Sequence, residues 1–378
     1  QRTNDNAVKK AEDAFGSSVG DEQIGIYNAN LVRGFSPVAA GNLRIEGLYF
    51  DQQAKPIDRL MAGTIIHVGI SAQGYPFPAP TGIADYRLRR PGDQALTSIN
   101  LSAGPWGGAG AELDSQMPLA GDRAGLAFGI GRYRDGLPHH GSGDLTSLAL
   151  VGRFRPTDHV EILPFWSQMR IAGEQSQSLI FTTTGDFLPA QITRNRFLGQ
   201  KWSDYSGTQS NYGVVTKAEL DAFDLSFGLF RSQVVVDEDH IDLLFGTDRT
   251  GHVANRMVVV DGGNRYGSTS GEFRVARSLV EGPRHHKLIL SLRGRDQSRL
   301  YGGAGSVSLG QSQIGVQDFR PEQTAPIGLK TRDHVTQKTF GLGYEGRWSH
   351  LGEISLGVQK TDYVKTVISP DPLRIIPQ

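Results

Sequence analysis

Two histidine pairs, His139-His140 and His285-His286, are the first residues to test for chemistry in this 378-residue, cysteine-free chain. Adjacent side chains of an extended segment point to opposite faces, so neither pair can close both imidazoles on one metal ion. The run Asp237-Glu238-Asp239-His240-Ile241-Asp242 has the charge to attract calcium. It lacks the spaced oxygen ligands and central glycine of an EF-hand loop and reads as a solvated loop tip. Serine, histidine and acidic residues occur along the chain, but no Gly-x-Ser-x-Gly elbow or HExxH helix gathers them. The glycine-rich stretch 302–310 does not pass from a strand into a helix, so it makes no phosphate cradle. No catalytic residue, metal or cofactor is assigned, and the chain is not read as an enzyme.

Recognition chemistry is better represented. Arg194, Arg196, Trp202 and Tyr205 lie in one polar stretch, and guanidinium groups beside aromatic rings suit anionic or aromatic ligands. Tyr212, a little further on, is read as a structural residue of an interface girdle. A second stretch, Gln73-Gly74-Tyr75-Pro76-Phe77-Pro78-Ala79-Pro80, presents an amide and two rings at Gln73, Tyr75 and Phe77 on a backbone stiffened by proline, which limits the entropy lost on binding. The alternative is that it forms a rigid turn packed inside a larger body.

The elements that must position these groups are extended. Eleven segments alternate apolar with polar or small residues, near 96–104, 109–116, 124–133, 145–154, 159–168, 212–220, 224–233, 270–277, 286–294, 336–347 and 351–360. In Phe340-Gly341-Leu342-Gly343-Tyr344-Glu345-Gly346-Arg347-Trp348 the large apolar residues share one parity and the polar or small ones the other. A soluble sandwich would alternate in the same way. The connections separate the two cases: short turns near 118–123, 155–158, 221–224, 279–284 and 349–350 alternate with long polar stretches near 171–211, 236–269 and 296–335. Short turns on one side and long loops on the other describe a barrel that crosses an outer membrane, and compact soluble domains seldom carry three loops of such length. Leu148, Leu150, Phe154, Ile162, Trp166, Leu225, Phe227, Leu229, Leu288, Leu290, Leu292, Phe340, Leu342, Tyr344, Ile354, Leu356 and Val358 are then expected to face lipid. If they pack together in one interior, the protein is a sandwich.

Composition agrees. Absence of cysteine excludes a disulfide framework and thiolate chemistry. Zero net charge with no basic stripe gives no support to nucleic-acid binding. Alternate strand residues meeting lipid require no long apolar run. The chain opens without a basic, apolar leader, so Gln1 is expected to be a processed or cut end. Residues up to Gln94 lack the hairpin rhythm: 7–15 has the spacing of a short helix, and 24–28, 43–50 and 64–70 are extended. A core this small is marginal alone and gains by being enclosed.

Asn30-Leu31-Val32-Arg33-Gly34-Phe35 and Asn42-Leu43-Arg44-Ile45-Glu46-Gly47-Leu48-Tyr49-Phe50 resemble the paired plug motifs of TonB-dependent outer-membrane receptors, with Glu46 in place of the family's Asp. Residues 65–71, Pro80 and Thr81-Gly82-Ile83 are similar to the last plug strands. Ser102-Ala103-Gly104-Pro105-Trp106-Gly107 with Ala111-Glu112-Leu113-Asp114 resembles the first barrel hairpin, and Arg153-Phe154-Arg155-Pro156-Thr157-Asp158 the Arg-Pro-Thr-Asp periplasmic turn. The resemblance implies a mainly β fold: a transmembrane antiparallel barrel of 22 strands whose lumen holds an N-terminal α+β plug. Residues 1–94 would be the plug and 95–378 the N-terminal portion of the barrel. Eleven strands cannot enclose such a plug, so truncation is expected, with another eleven strands adding on the order of 300 residues and 370–378 ending in an external loop. The family further implies active uptake of a scarce nutrient, commonly a ferric siderophore, in the outer membrane of a Gram-negative bacterium. External loops and the plug apex bind the ligand, and the TonB-ExbB-ExbD complex displaces the plug. Arg33, Arg44 and Glu46 are then candidates for plug-to-wall ion pairs across a wet, charged interface. A passive porin or adhesin and, less favoured, a barrel enzyme remain the alternatives.

Overall fold

The computed structural model describes residues 8–13 and 16–20 as backbone, and residues 36–67, 82–189, 196–349 and 351–370 with their side chains. Six strands form a mixed N-terminal sheet: β1 (Val8–Asp13), β2 (Gly16–Gly20), β3 (Leu43–Ile45), β4 (Leu48–Tyr49), β5 (Met61–His67) and β6 (Ile83–Leu88), in the order β2-β1-β5-β6-β3-β4. Residues 8–13 of the helix expected over 7–15 instead form β1, and β2 follows from Gly16. These strands pair antiparallel, and β1 runs parallel to β5 with Lys10 opposite Ile65. A nine-residue helix is too short to persist by itself, whereas β1 is held by backbone ladders to β2 on one side and β5 on the other. Arg33 and the segment at 24–28 lie outside the described residues, as do 371–378.

All eleven alternating segments are strands, and they follow one another as antiparallel neighbours. They are β7 (Leu96–Ala103), β8 (Ala109–Pro118), β9 (Ala124–Gly136), β10 (Ser142–Thr157) and β11 (Val160–Gln175), then, after a short β12 (Leu179–Thr182), β13 (Asp204–Leu220) and β14 (Phe223–Thr247). β15 (His252–Val260) precedes β16 (Asn264–Glu281) and β17 (Arg284–Tyr301), and β18 (Gly305–Gln313) precedes β19 (Thr331–Trp348) and β20 (Gly352–Ile368). The main sheet runs from β7 to β20 without pairing its two ends, and so forms an open arc. Its short turns fall where expected. At the other end the strands run much further than their amphipathic pattern, β14 by fourteen residues beyond 233. There both faces meet water or loops, so alternation lapses while the backbone ladder continues. Among the described residues, the three stretches read as long polar loops contain further strands: β12 lies parallel to the outer half of β14, and β15 pairs antiparallel with β14 and β18, building a second tier above the arc.

The two faces of the arc divide by parity. None of the residues assigned to the outer face is buried, and most, including Trp166, Leu229, Leu292 and Leu342, are exposed. Val151, Leu163, Phe165, Val215 and Phe230, of opposite parity, are buried and share one core with Leu43, Ile45, Leu48, Phe50, Leu60, Tyr86 and Leu88 of the N-terminal sheet. The sandwich reading therefore fails. The core lies between the concave face of the arc and the N-terminal sheet, while the convex face carries an apolar band larger than monomers in water tolerate. Leu229, six residues above the turn before β14, sits near the middle of that band. Leu229→Arg is expected to destabilise the protein in lipid by about 2–4 kcal/mol, measured by denaturant unfolding in vesicles. A cost near zero there would contradict a lipid-facing band.

Candidate functional site: the concave face of the arc and the outer tier

Glu46 occupies the first of the two turn residues joining β3 to β4. With φ of 54° at Glu46 and 84° at Gly47 the turn is of the tight hairpin kind that demands left-handed backbone at both positions. Glu46 tolerates that conformation poorly, and such strain persists where the surroundings over-determine it. Its buried carboxylate accepts the Leu88 amide at 2.8 Å, two Arg90 N–H groups at 3.0 Å and Lys217 Nζ, on strand β13 of the arc, at 3.1 Å. Arg90 also donates to Glu161 on β11, which accepts from Arg153 on β10. A chain of charge thus crosses from the N-terminal sheet to three strands of the arc near its short-turn end. Burial opposes ionisation of Glu46, but the hydrogen bonds from Arg90 and the charges of Lys217 and Arg90 outweigh it and hold the carboxyl at about 2.

Three further clusters tie the same surfaces. Glu272 on β16 accepts the Tyr49 amide at 2.9 Å and the hydroxyl of Ser291, and pairs with Arg274. Arg44 faces this group: it donates to its neighbour Leu43's carbonyl, stacks 5.4 Å over the Tyr49 ring and feels the charge of Glu272 without a direct bridge. Asp51 binds Arg295 and Gln297 of β17, and its amide donates to Ser270. Arg59 reaches Asp114 and Glu112 on β8 and Ser147 on β10. Ser232 on β14 accepts the amides of Gln53 and Ala54 at 2.9 Å.

The expected wet interface is thus only half right in kind. Between the charged clusters lies the apolar core, with Phe50 meeting Phe230 edge-to-face at 5.8 Å, so separation requires exposing apolar area as well as breaking ion pairs. Sequence reasoning missed Asp51, Arg59, Arg90, Asp114, Glu161, Lys217, Glu272 and Arg295. A signal was present for the strand residues: Glu161, Lys217 and Glu272 have the parity that faces the concave side, where a charge needs a partner. Beside Arg59, a cleft of about 310 Å3 lined by Lys55, Ile57, Glu112, Met169 and Gln209 separates the two surfaces.

The recognition residues fare unevenly. Gln73, Tyr75, Phe77 and Arg194 lie outside the described residues. Arg196 lines a cavity in the outer tier and donates to the Gly315 carbonyl at 3.1 Å. Trp202 and Tyr205 do not join it: the Trp202 indole donates to the Arg320 carbonyl at 2.9 Å, and Tyr205 lies in β13 opposite Asp239. Asp242, read as part of a solvated acidic loop, is instead fully buried on β14. It pairs through two oxygens with the equally buried Arg256, whose remaining donors reach the Leu198 and Asp318 carbonyls. Gln200 and Trp202 make further bonds to the segment at 318–320, so the outer loops are stitched together.

No protein-family model matches the sequence, and no curated protein matches it. Solved structures do. The ferripyoverdine receptor of the outer membrane of Pseudomonas aeruginosa superposes with a TM-score of 0.67 at 11% identity, over 96% of this chain and 49% of that one. The ferric-catecholate import receptor Fiu of E. coli gives 0.66 at 12% identity over 86% and 53%. BauA, the ferric preacinetobactin receptor of Acinetobacter baumannii, gives 0.63 at 12% identity over 86% and 50%. Over the part it covers, this chain has the fold of these outer-membrane receptors, with the N-terminal sheet seated against an arc of antiparallel strands. It spans about half the length of the structures it matches.

A buried carboxylate held this low stabilises the folded state fully above its unfolded value of 4.5, and that contribution is lost as pH falls toward about 2. Glu46→Gln is expected to cost about 3–5 kcal/mol at pH 7 by leaving Arg90 and Lys217 with a neutral partner. In denaturant titrations from pH 7 to 2, the advantage of the parent over the variant should hold down to about pH 4.5 and then shrink. An advantage independent of pH would show that the charge of Glu46 is not what holds the turn.

Proposed function

We propose that this chain serves a TonB-dependent outer-membrane receptor that takes up a scarce nutrient, with a ferric siderophore as the substrate. In this reading residues 1–94 are the plug and 95–378 form part of a larger barrel in the outer membrane of a Gram-negative bacterium, lipid covering the apolar band. The observation that carries it is the seating of the N-terminal sheet in the concave face, tied by four charged clusters around an apolar core. A lumen filled in this way does not conduct passively, which disfavours a porin. Ligand held by the outer loops and the apex of the plug cannot pass until the plug moves.

The outer membrane holds no nucleotide supply, so the work of displacement is assigned to the TonB-ExbB-ExbD complex pulling on the N-terminal segment. Arg33, Arg44 and Glu46 retain their proposed part in the latch, Glu46 with the strongest geometric support. Gln73, Tyr75, Phe77, Arg194, Arg196, Trp202 and Tyr205 retain the proposed ligand role, supported for Arg196 by its cavity. For Trp202, whose indole hydrogen-bonds between loops, the role is one of holding the site in shape.

Uptake of radiolabelled iron by a strain deleted for the gene, across a panel of ferric siderophores, tests the proposal. At least one chelate should no longer accumulate, and the same chelate should fail in a strain lacking TonB. Unchanged uptake of every chelate, with growth lost instead on an oligosaccharide, would move the substrate to glycans. Ligand entry that persists without TonB would overturn active transport.

A further inference from the structure

We infer that Arg277, on the convex side of β16, anchors the phosphate of one anionic phospholipid whose acyl chain lies in an adjoining groove. The inference rests on the reading of the convex face as covered by lipid and goes beyond it, since it assigns one place on the band to one headgroup chemistry. Arg277 is exposed and shares its parity with Val275 and Leu279. The ladder sets Phe223 of β14 opposite it on one side and Leu288 of β17 on the other. These four neighbours on its own face are apolar. Among the described residues its charge meets the ring of Phe223, 5.3 Å from the centroid, and pairs with no carboxylate. Asp224 has the opposite parity and lies 3.9 Å from Lys287, while Glu281 stands opposite Arg284 at the turn.

A lone charge on a lipid face is costly in proportion to its depth. Arg277 is four residues from the end of β16 at Glu281, roughly 13 Å along a strand. The strands of such a wall are tilted, so its long side chain reaches the headgroup level of the short-turn leaflet. The group it meets there is phosphate, which a guanidinium binds through two parallel N–H groups. A zwitterionic lipid brings an ammonium that competes for the same phosphate. An anionic lipid leaves the phosphate to the arginine.

The groove accommodates the other half of the ligand. Val275, Leu288, Leu290, Leu342, Leu356 and Val358 line a depression of about 660 Å3 that opens beside Arg277 and crosses four strands, a volume within the range of small-molecule sites. Tyr344, also in its lining, joins a cluster of polar-tipped rings at the short-turn end. Its hydroxyl shares a hydrogen bond of 2.8 Å with His286 Nδ1, and Trp348 meets His286 edge-on at 5.7 Å. Gly346 makes the cluster possible, since a Cβ there would lie 2.6 Å from the Trp348 ring and 2.7 Å from the Tyr344 hydroxyl. Such rings gather where acyl chains end and headgroups begin, and they mark that level beside Arg277.

Native mass spectrometry of the full chain in detergent micelles tests the site, with phosphatidylglycerol and phosphatidylethanolamine of the same acyl chains supplied in equal amounts. One phosphatidylglycerol should stay bound per chain, in about tenfold preference over the zwitterionic lipid. Arg277→Gln should abolish the preference and Arg277→Lys keep part of it. Leu290→Trp, which fills the groove, should lower retention of both lipids together. Denaturant unfolding in vesicles separates anchoring from a merely structural contact with Phe223. There Arg277→Gln should lower the unfolding midpoint in phosphatidylglycerol and leave it unchanged or raised in phosphatidylcholine. Equal retention of the two lipids by the parent, a preference that survives Arg277→Gln, or a midpoint shift of the same sign in both vesicles would overturn the site. A second copy of the chain on the groove in place of lipid would do so too. If these tests fail while Leu229→Arg is costly in vesicles, this site falls and the lipid-covered band stands. Leu229→Arg without cost would remove both.

Discussion

A carboxylate stays ionised in a dry interface only if cations are built around it, and the placement of Glu46 makes two separate sheets depend on one another. Its turn belongs to the N-terminal sheet, Lys217 to the arc, and Arg90 joins the two through Glu161 and Arg153. Each surface completes the pairing of the other: Lys217 of the arc reaches Glu46, and Arg90 divides its donors between Glu46 and Glu161. Without the N-terminal sheet the arc would present Lys217 to its own lumen, and the N-terminal sheet, with a core of few residues, would be marginal in water. Mutual satisfaction also sets the register: each cluster joins one position of the N-terminal sheet to one height on the wall.

The combination has a mechanical meaning. An ion pair weakens as water enters and raises the local dielectric, and its groups re-pair with water, whereas parting an apolar contact costs free energy in proportion to the area exposed. An interface of apolar centre and charged margins therefore opens only when both are overcome, the margins being the part that water can replace. The charged chain around Glu46 lies near the short-turn end of the arc. In the proposed receptor this is the periplasmic end, where a pull on the N-terminal segment would first be felt. The outer tier is built for the opposite property, since the buried Arg256–Asp242 pair and the loop-to-loop bonds give it rigidity far from that pull.

The strands were legible because a membrane wall with a filled lumen leaves a period-two signature that needs no tertiary knowledge. Phe340, Leu342 and Tyr344 disclose their face from parity alone. The outer tier was not legible, because β12, β15 and β18 are short runs set within long polar stretches and are held by pairing, β12 and β15 with the extension of β14 and β18 with β15. Asp242 illustrates the limit: in sequence it is one acid among several, and only Arg256, fourteen residues later, makes its burial possible. The short helix expected at 7–15 failed for a related reason, since local spacing yields to an available strand edge when the segment is brief. At the site, Glu46 was found through its resemblance to a turn motif, while Lys217, Glu161 and Arg90 required knowing which strands the turn would meet.

The claim on which the account rests is that the N-terminal sheet must leave its seat in the arc for a ligand to pass. The chain has no cysteine, so a single engineered pair can be read without background. Ala54→Cys with Ser232→Cys joins the two surfaces where the Ala54 amide now meets the Ser232 hydroxyl at 2.9 Å. Once a transported chelate is identified, cells carrying the oxidised pair should bind it at the surface and accumulate none, and a reductant should restore accumulation. Accumulation at the parent rate with the disulfide intact would contradict the account.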